Sequence, residues 1–165
     1  MTFDESLQMS ENHEKKLLEY YKQKFPDMSC IMKTASENSQ VQRLGVDRIV
    51  VLKNGNTIKV DEKIRGKFRK DILLEFVKND NTNARGWIEE ELQCDYILYC
   101  FTIDQERGFF LPFHELQNAW IRNKEKWIKK YGVIRGKNQN YNSLNCAVPT
   151  RILFHEMQRT QFVFE

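Results

Sequence analysis

The chain has 165 residues, 41% hydrophobic and 30% charged, enough apolar content for one domain with its own core. Its 26 basic and 23 acidic side chains leave a net charge of +3, too small to name a class of partner. No apolar run approaches membrane-spanning length and the N-terminus is acidic and polar; Cys30, Cys94, Cys100 and Cys146 lack CxxC spacing, which argues against a zinc centre or a disulfide framework and for a reduced, cytoplasmic setting.

From about residue 10 to 25 the spacing predicts an amphipathic helix. Ser10 is the candidate N-cap, Glu11 and Glu14 occupy the first turns, and Leu17, Leu18, Tyr21 and Phe25 form the apolar stripe before Pro26. A polar connection with strand character follows over residues 30–42. Two β-rich segments, 46–52 and 57–63, flank Lys53-Asn54-Gly55, and a basic stretch at 65–70 leads to a third strand at 72–77. Residues 79–85 read as a polar loop, and Gly86-Trp87 enters an acidic turn or short helix at Glu89-Glu90-Glu91. The run 96–101 is the clearest strand; another is expected at 107–112 after a turn at 104–106. A second helix spans about 114–130 with Leu116, Trp120 and Trp127 inward, a Gly- and Asn-rich loop or hairpin covers 132–145, and 148–154 closes the fold. Helices at the ends and strands between them predict a single α/β or α+β domain over 1–165, core about 10–155, with a central mixed sheet.

The paired segments carry the chemistry. If Lys53-Asn54-Gly55 is a three-residue hairpin loop with Gly55 left-handed, Leu52 pairs with Asn56 and Asp47 falls opposite Asp61. Period-two alternation then places Asp47, Asp61 and Lys63 on one face and Val50 with Ile58 on the other. A two-residue Asn54-Gly55 turn would slip the register by one and bring Glu62 opposite Asp47; the apolar pattern fits either. Two carboxylates at a strand end make a hard oxygen site for Mg²⁺ or Mn²⁺, and a neighbouring lysine can position or activate water. That combination points to metal-dependent cleavage of a phosphodiester. The plainer reading is a surface hairpin with ordinary charged residues.

These pieces also support a resemblance. Gly45-Val46-Asp47-Arg48, Asp61-Glu62-Lys63-Ile64-Arg65, Asp71-Ile72-Leu73-Leu74-Glu75, Gly86-Trp87-Ile88 and Cys94-Asp95-Tyr96-Ile97, in that order, resemble the PD-(D/E)xK nuclease superfamily. Leu111-Pro112-Phe113 and Ala119-Trp120 also fit. Restriction endonucleases and archaeal Holliday-junction resolvases belong to that superfamily, and the chain looks most like its small bacterial and phage branch. One position departs: Val46, not proline, precedes Asp47.

The resemblance implies a restriction-endonuclease-like mixed sheet flanked by helices, and a DNA endonuclease. Asp47 and Asp61 would hold Mg²⁺ or Mn²⁺, with Glu62 as the second choice for the metal, and Lys63 would assist water attack. It adds Glu75, taken as lying on the adjacent strand, and Glu14 on the first helix as further candidates, with Gln42 weaker. Arg65, Lys67, Arg69 and Lys70 form a candidate strip for phosphate contact, against the plainer reading of a solvated loop. The basic run from Lys124 to Lys137 is either a wet helix face or a duplex-gripping arm. Trp120 and Trp127 suit the core better than base stacking, and His13, His114 and His155 lack the spacing of a catalytic or zinc pair. The residues do not choose DNA over RNA, and cutting both strands from one site per chain would call for a homodimer. Two other classes stay in view: a nucleic-acid-binding protein that does not cleave, and a phage-type protein-interaction module.

Overall fold

In the computed structural model the described residues are 3–34, 40–101 and 108–161; the expected turn at 104–106 and Arg107 fall outside them. Four helices and nine strands are formed among these residues, an α+β arrangement with two sheets. The chain divides into two compact units, each built from two stretches: Met1–Phe68 with Gln93–Leu111, and Arg69–Leu92 with Pro112–Glu165.

The first unit holds α1 (Phe3–Lys24), β1 (Met28–Lys33), the single turn α2 (Gln40–Arg43), β2 (Arg48–Leu52), β3 (Thr57–Arg65), β6 (Tyr96–Phe101) and β7 (Gly108–Pro112). The first helix begins at Phe3, so Ser10 lies inside it rather than capping it; a side chain able to cap does not stop a helix whose preceding residues can continue it. The strands make one mixed sheet in the order β1-β2-β3-β6-β7, antiparallel from β1 to β3 and parallel between β3 and β6. One face receives α1. Leu17, Tyr21 and Phe25 pack with Val50, Val60, Leu98 and Cys100 into a buried cluster, and the rings of Tyr21, Phe25, Tyr96 and Phe110 meet edge to face.

The second unit holds β4 (Asp71–Asn79), β5 (Ala84–Arg85), α3 (Phe113–Tyr131), β8 (Ile134–Lys137), β9 (Asn142–Pro149) and α4 (Thr150–Gln161). Its sheet runs β5-β4-β9-β8 and is antiparallel throughout. Ile72, Leu74 and Phe76 alternate into its core, where Phe76 stacks on Trp120 with centroids 5.6 Å apart. Trp120 and Trp127 are fully buried, and Trp120 Nε1 donates to Glu89 Oε1 at 2.9 Å, which accounts for the polar end of a core indole. The Gly- and Asn-rich stretch forms the β8–β9 hairpin, and helix α4 begins at Thr150, inside the segment read as closing the fold.

One expectation fails here. The sequence predicts Glu75 on the strand next to that of Asp61, but β4 pairs with β5 and β9, and the neighbour of β3 is β6. The alternation of β4 reveals one buried face and is silent on which strand it pairs with.

Candidate active site

The hairpin adopts the three-residue loop. Leu52 N donates to Asn56 O at 2.8 Å, Gly55 N to Leu52 O at 2.9 Å, and Gly55 takes φ +84°. The register runs Val51 with Thr57, Val50 with Ile58 and Arg48 with Val60, where the pairing stops. Asp47 stands just ahead of β2 and is held from both sides. Its N–H donates to Val60 O at 2.9 Å, while its carbonyl accepts from Thr34 N at 2.9 Å and Thr34 Oγ1 at 3.1 Å.

The carboxylate of Asp47 does a strand's work. β2 pairing ends at Arg48, and the N–H of Glu62 is taken by Asp47 Oδ2 at 2.7 Å. Asp61, 4% exposed, feels the Asp47 carboxylate, and Lys63 Nζ sits 2.7 Å from Asp61 Oδ2. That last contact is an ion pair by distance; Oδ2 accepts no hydrogen bond of good angular geometry despite being buried. Burial pushes the Asp61 carboxyl up to about 6, with Lys63 opposing the rise and Asp47 adding to it. Cys94, just before β6, is close enough to feel this charge. Its thiol is pushed up to about 12, by burial first and Asp61 second.

Glu62 and Glu14 face elsewhere. Alternation puts Glu62 on the α1 side of β3, where its Oε1 accepts from Tyr21 OH and from Arg48 Nε, both at 2.9 Å. Arg48, 3% exposed, also grips Glu14 with Nη1 and Nη2, each at 2.8 Å. Burial works against the Arg48 charge, but the two carboxylates more than offset it and raise its pKa. The hydrogen bond from Arg48 leads in lowering that of Glu14. Tyr21 is raised, first by burial and then by Glu62. Two charged groups thus sit on opposite faces of the same strand pair: Asp47, Asp61 and Lys63 on one, Glu14, Arg48, Glu62 and Tyr21 on the other.

Glu75 belongs to the second sheet and Gln42 to α2. Arg65, two residues past Lys63 and on its face of β3, is half-buried, whereas Lys67, Arg69 and Lys70 are exposed. In the second basic run, Lys124 pairs with Glu89 at 2.6 Å and Arg135 reaches Asp80 at 3.4 Å, while Lys126, Lys129 and Lys137 are exposed. The residues that sequence reasoning passed over are Arg48, Tyr21 and Thr34. Arg48 was legible in part, since the three-residue register sets it opposite Val60 and diagonal to Glu62.

A divalent ion can be weighed against these donors. Among the described residues no three His, Cys, Asp or Glu side chains gather around one point, so the protein offers two carboxylates. Both are hard oxygen donors, with the Lys63 ammonium beside Asp61. One of their oxygens is buried with no well-angled donor. That set fits Mg²⁺ or Mn²⁺, which commonly take one or two carboxylates and leave the remaining positions to water and phosphate. No helix of the described residues is long and apolar enough to cross a membrane. Compared with models of known families, with curated proteins and with solved structures, the chain matches none.

Proposed function

We propose that the protein is a metal-dependent phosphodiester hydrolase, a DNA endonuclease, working from the Asp47–Asp61–Lys63 face. The observation that carries this reading is the pairing of Lys63 Nζ with the buried Asp61 Oδ2 at 2.7 Å, beside an Asp47 carboxylate held by the Glu62 N–H of the same strand. Asp47 and Asp61 would hold Mg²⁺ or Mn²⁺, which when bound acidifies a coordinated water and offsets charge on the phosphoryl oxygens. Lys63 supplies a fixed positive charge beside the scissile phosphate and orients the attacking water. Asp47, tied to the Glu62 N–H, keeps its carboxylate in place without rotamer search. Arg65 and Lys67, in the same unit as the carboxylates, would add backbone affinity without sequence choice. The order of short motifs, which resembles that of the PD-(D/E)xK superfamily, supports the same chemistry.

The test is incubation with plasmid and branched DNA in Mg²⁺ or Mn²⁺, using the parent beside Asp61→Ala and Lys63→Met. Metal-dependent nicking by the parent is expected, with each substitution slowing it roughly a hundredfold or more. DNA retained equally by all three proteins without cuts would indicate a binding module. Absence of both retention and cutting would indicate a protein-interaction module.

A further inference from the structure

The ion-paired group behind the hairpin joins three elements through one side chain. Arg48 is the residue after Asp47, and its guanidinium spans from Glu14 on α1 to Glu62 on β3. Glu62 in turn sends its side chain to Arg48 and Tyr21 and its backbone N–H to Asp47 Oδ2. Glu62 is therefore tied to β2 and its preceding residue twice, to Arg48 on one face and to Asp47 on the other. We propose that Arg48 is the positioning residue of the carboxylate pair: by anchoring the Glu62 side chain on the helix side, it keeps the Glu62 N–H on Asp47 and Asp47 beside Asp61. This rests on the reading of Asp47 and Asp61 as ion ligands. It also gives Glu62, one of the two acidic residues ahead of Lys63, a role in alignment rather than coordination.

The geometry favours a clamp over a mere filler of the core. A buried charge would be balanced by a single partner, yet each of the three Arg48 nitrogens makes a bond, two to Glu14 and one to Glu62. Beyond the last β2–β3 backbone pair, the Asp47 carboxylate is what carries the ladder onward. A shift of the Glu62 side chain there would turn its peptide and release that N–H. Lysine in place of Arg48 keeps the charge but offers a point where the site needs a fork, so it cannot hold both carboxylates in this plane. Glutamine in place of Glu62 keeps an acceptor for Arg48 and Tyr21 but would be a poor ligand for a hard cation.

The experiment uses the full chain and two readouts. Amide hydrogen exchange, followed by NMR, reports the Glu62 N–H directly. Arg48→Lys should lower its protection at least tenfold, while the Lys59 N–H, held by Asp95 Oδ2 at 2.8 Å in the same strand, stays as in the parent. Unchanged Glu62 protection in Arg48→Lys would overturn the proposal. So would an equal loss at Lys59, which would mean general loosening of the sheet. Calorimetric titration with Mn²⁺ gives the second readout. Arg48→Lys should bind it roughly 10- to 100-fold more weakly and Glu62→Gln less than tenfold more weakly, against a loss of about 100-fold or more in Asp61→Asn. A Glu62→Gln loss as large as that of Asp61→Asn would make Glu62 a ligand and overturn the alignment role. If the parent binds no Mn²⁺, the functional reading fails by itself, and the exchange measurement still decides what Arg48 does.

Discussion

Asp61 is pulled in opposite directions by its surroundings, and the balance can be read through pH. Burial raises its carboxyl from 3.8 to about 6; the Lys63 ammonium opposes this, and the Asp47 carboxylate reinforces it. Because the folded value lies above the unfolded one, the folded chain binds the extra proton. The associated stability, on the order of 3 kcal/mol, is complete below the unfolded value and is lost as pH rises through about 6. A bound divalent ion selects the ionised form, so its effect must run the other way. The melting temperature without metal should therefore fall between about pH 4 and 7 by more in the parent than in Asp61→Asn. The rise in melting temperature on adding Mg²⁺ should be small near pH 5 and larger near pH 7.5, with apparent affinity differing about tenfold. Thermal scans at both pH values check this. Equal Mg²⁺ effects at the two would remove Asp61 from the ion's coordination.

At the scale of single elements, what could be read from the sequence tracked how local the deciding contact is. The hairpin register depends on three loop residues and on Gly55 adopting a left-handed backbone, so the pairing of Asp47 with Asp61 was among the options on paper. The opposite faces of Asp61 and Glu62 follow from the same alternation. What was missed is that the Glu62 face holds a buried arginine with two partners, because Glu14 comes from a helix distant in the chain. The Gly86-Trp87-Ile88 motif shows a similar division. Its sequence announces a turn, but the need for glycine arises from β4, on which Gly86 lies so closely that a Cβ would run into the Glu75 carbonyl and the Phe76 backbone. There Gly86 N also donates to Phe76 O at 3.0 Å, so the strand cannot move away without losing that bond. Gly86→Ala should destabilise the chain by about 2 kcal/mol or more, whereas Gly55→Ala, with open space around it, should cost about 1 kcal/mol from backbone conformation alone. Urea unfolding of the two variants measures the difference, and a reversed order would show that the close approach at Gly86 is not a constraint.

At the scale of the whole molecule, the chain divides its strands between two sheets. Composition and the succession of strands and helices gave the α+β class, but not the division of the strands between two sheets, because that depends on pairings between segments far apart in sequence. The consequence is visible in the candidate site. Asp47, Asp61 and Lys63 all lie within Met1–Phe68, yet the unit holding them is completed by Gln93–Leu111. That second stretch brings β6, whose Ile97, Leu98, Tyr99 and Cys100 are buried and whose backbone pairs with β3 from Val60 to Arg65, the segment that includes Asp61 and Lys63. Without β6, β3 becomes an edge strand and the cluster beneath α1 loses Leu98 and Cys100. A fragment of residues 1–68 therefore contains every proposed ligand and should still fail to form the site. By circular dichroism it should lack a cooperative melting transition, and Mn²⁺ should not stabilise it. A folded fragment binding Mn²⁺ as the full chain does would show that the hairpin and α1 suffice, and that the parallel strand is dispensable for seating the ion.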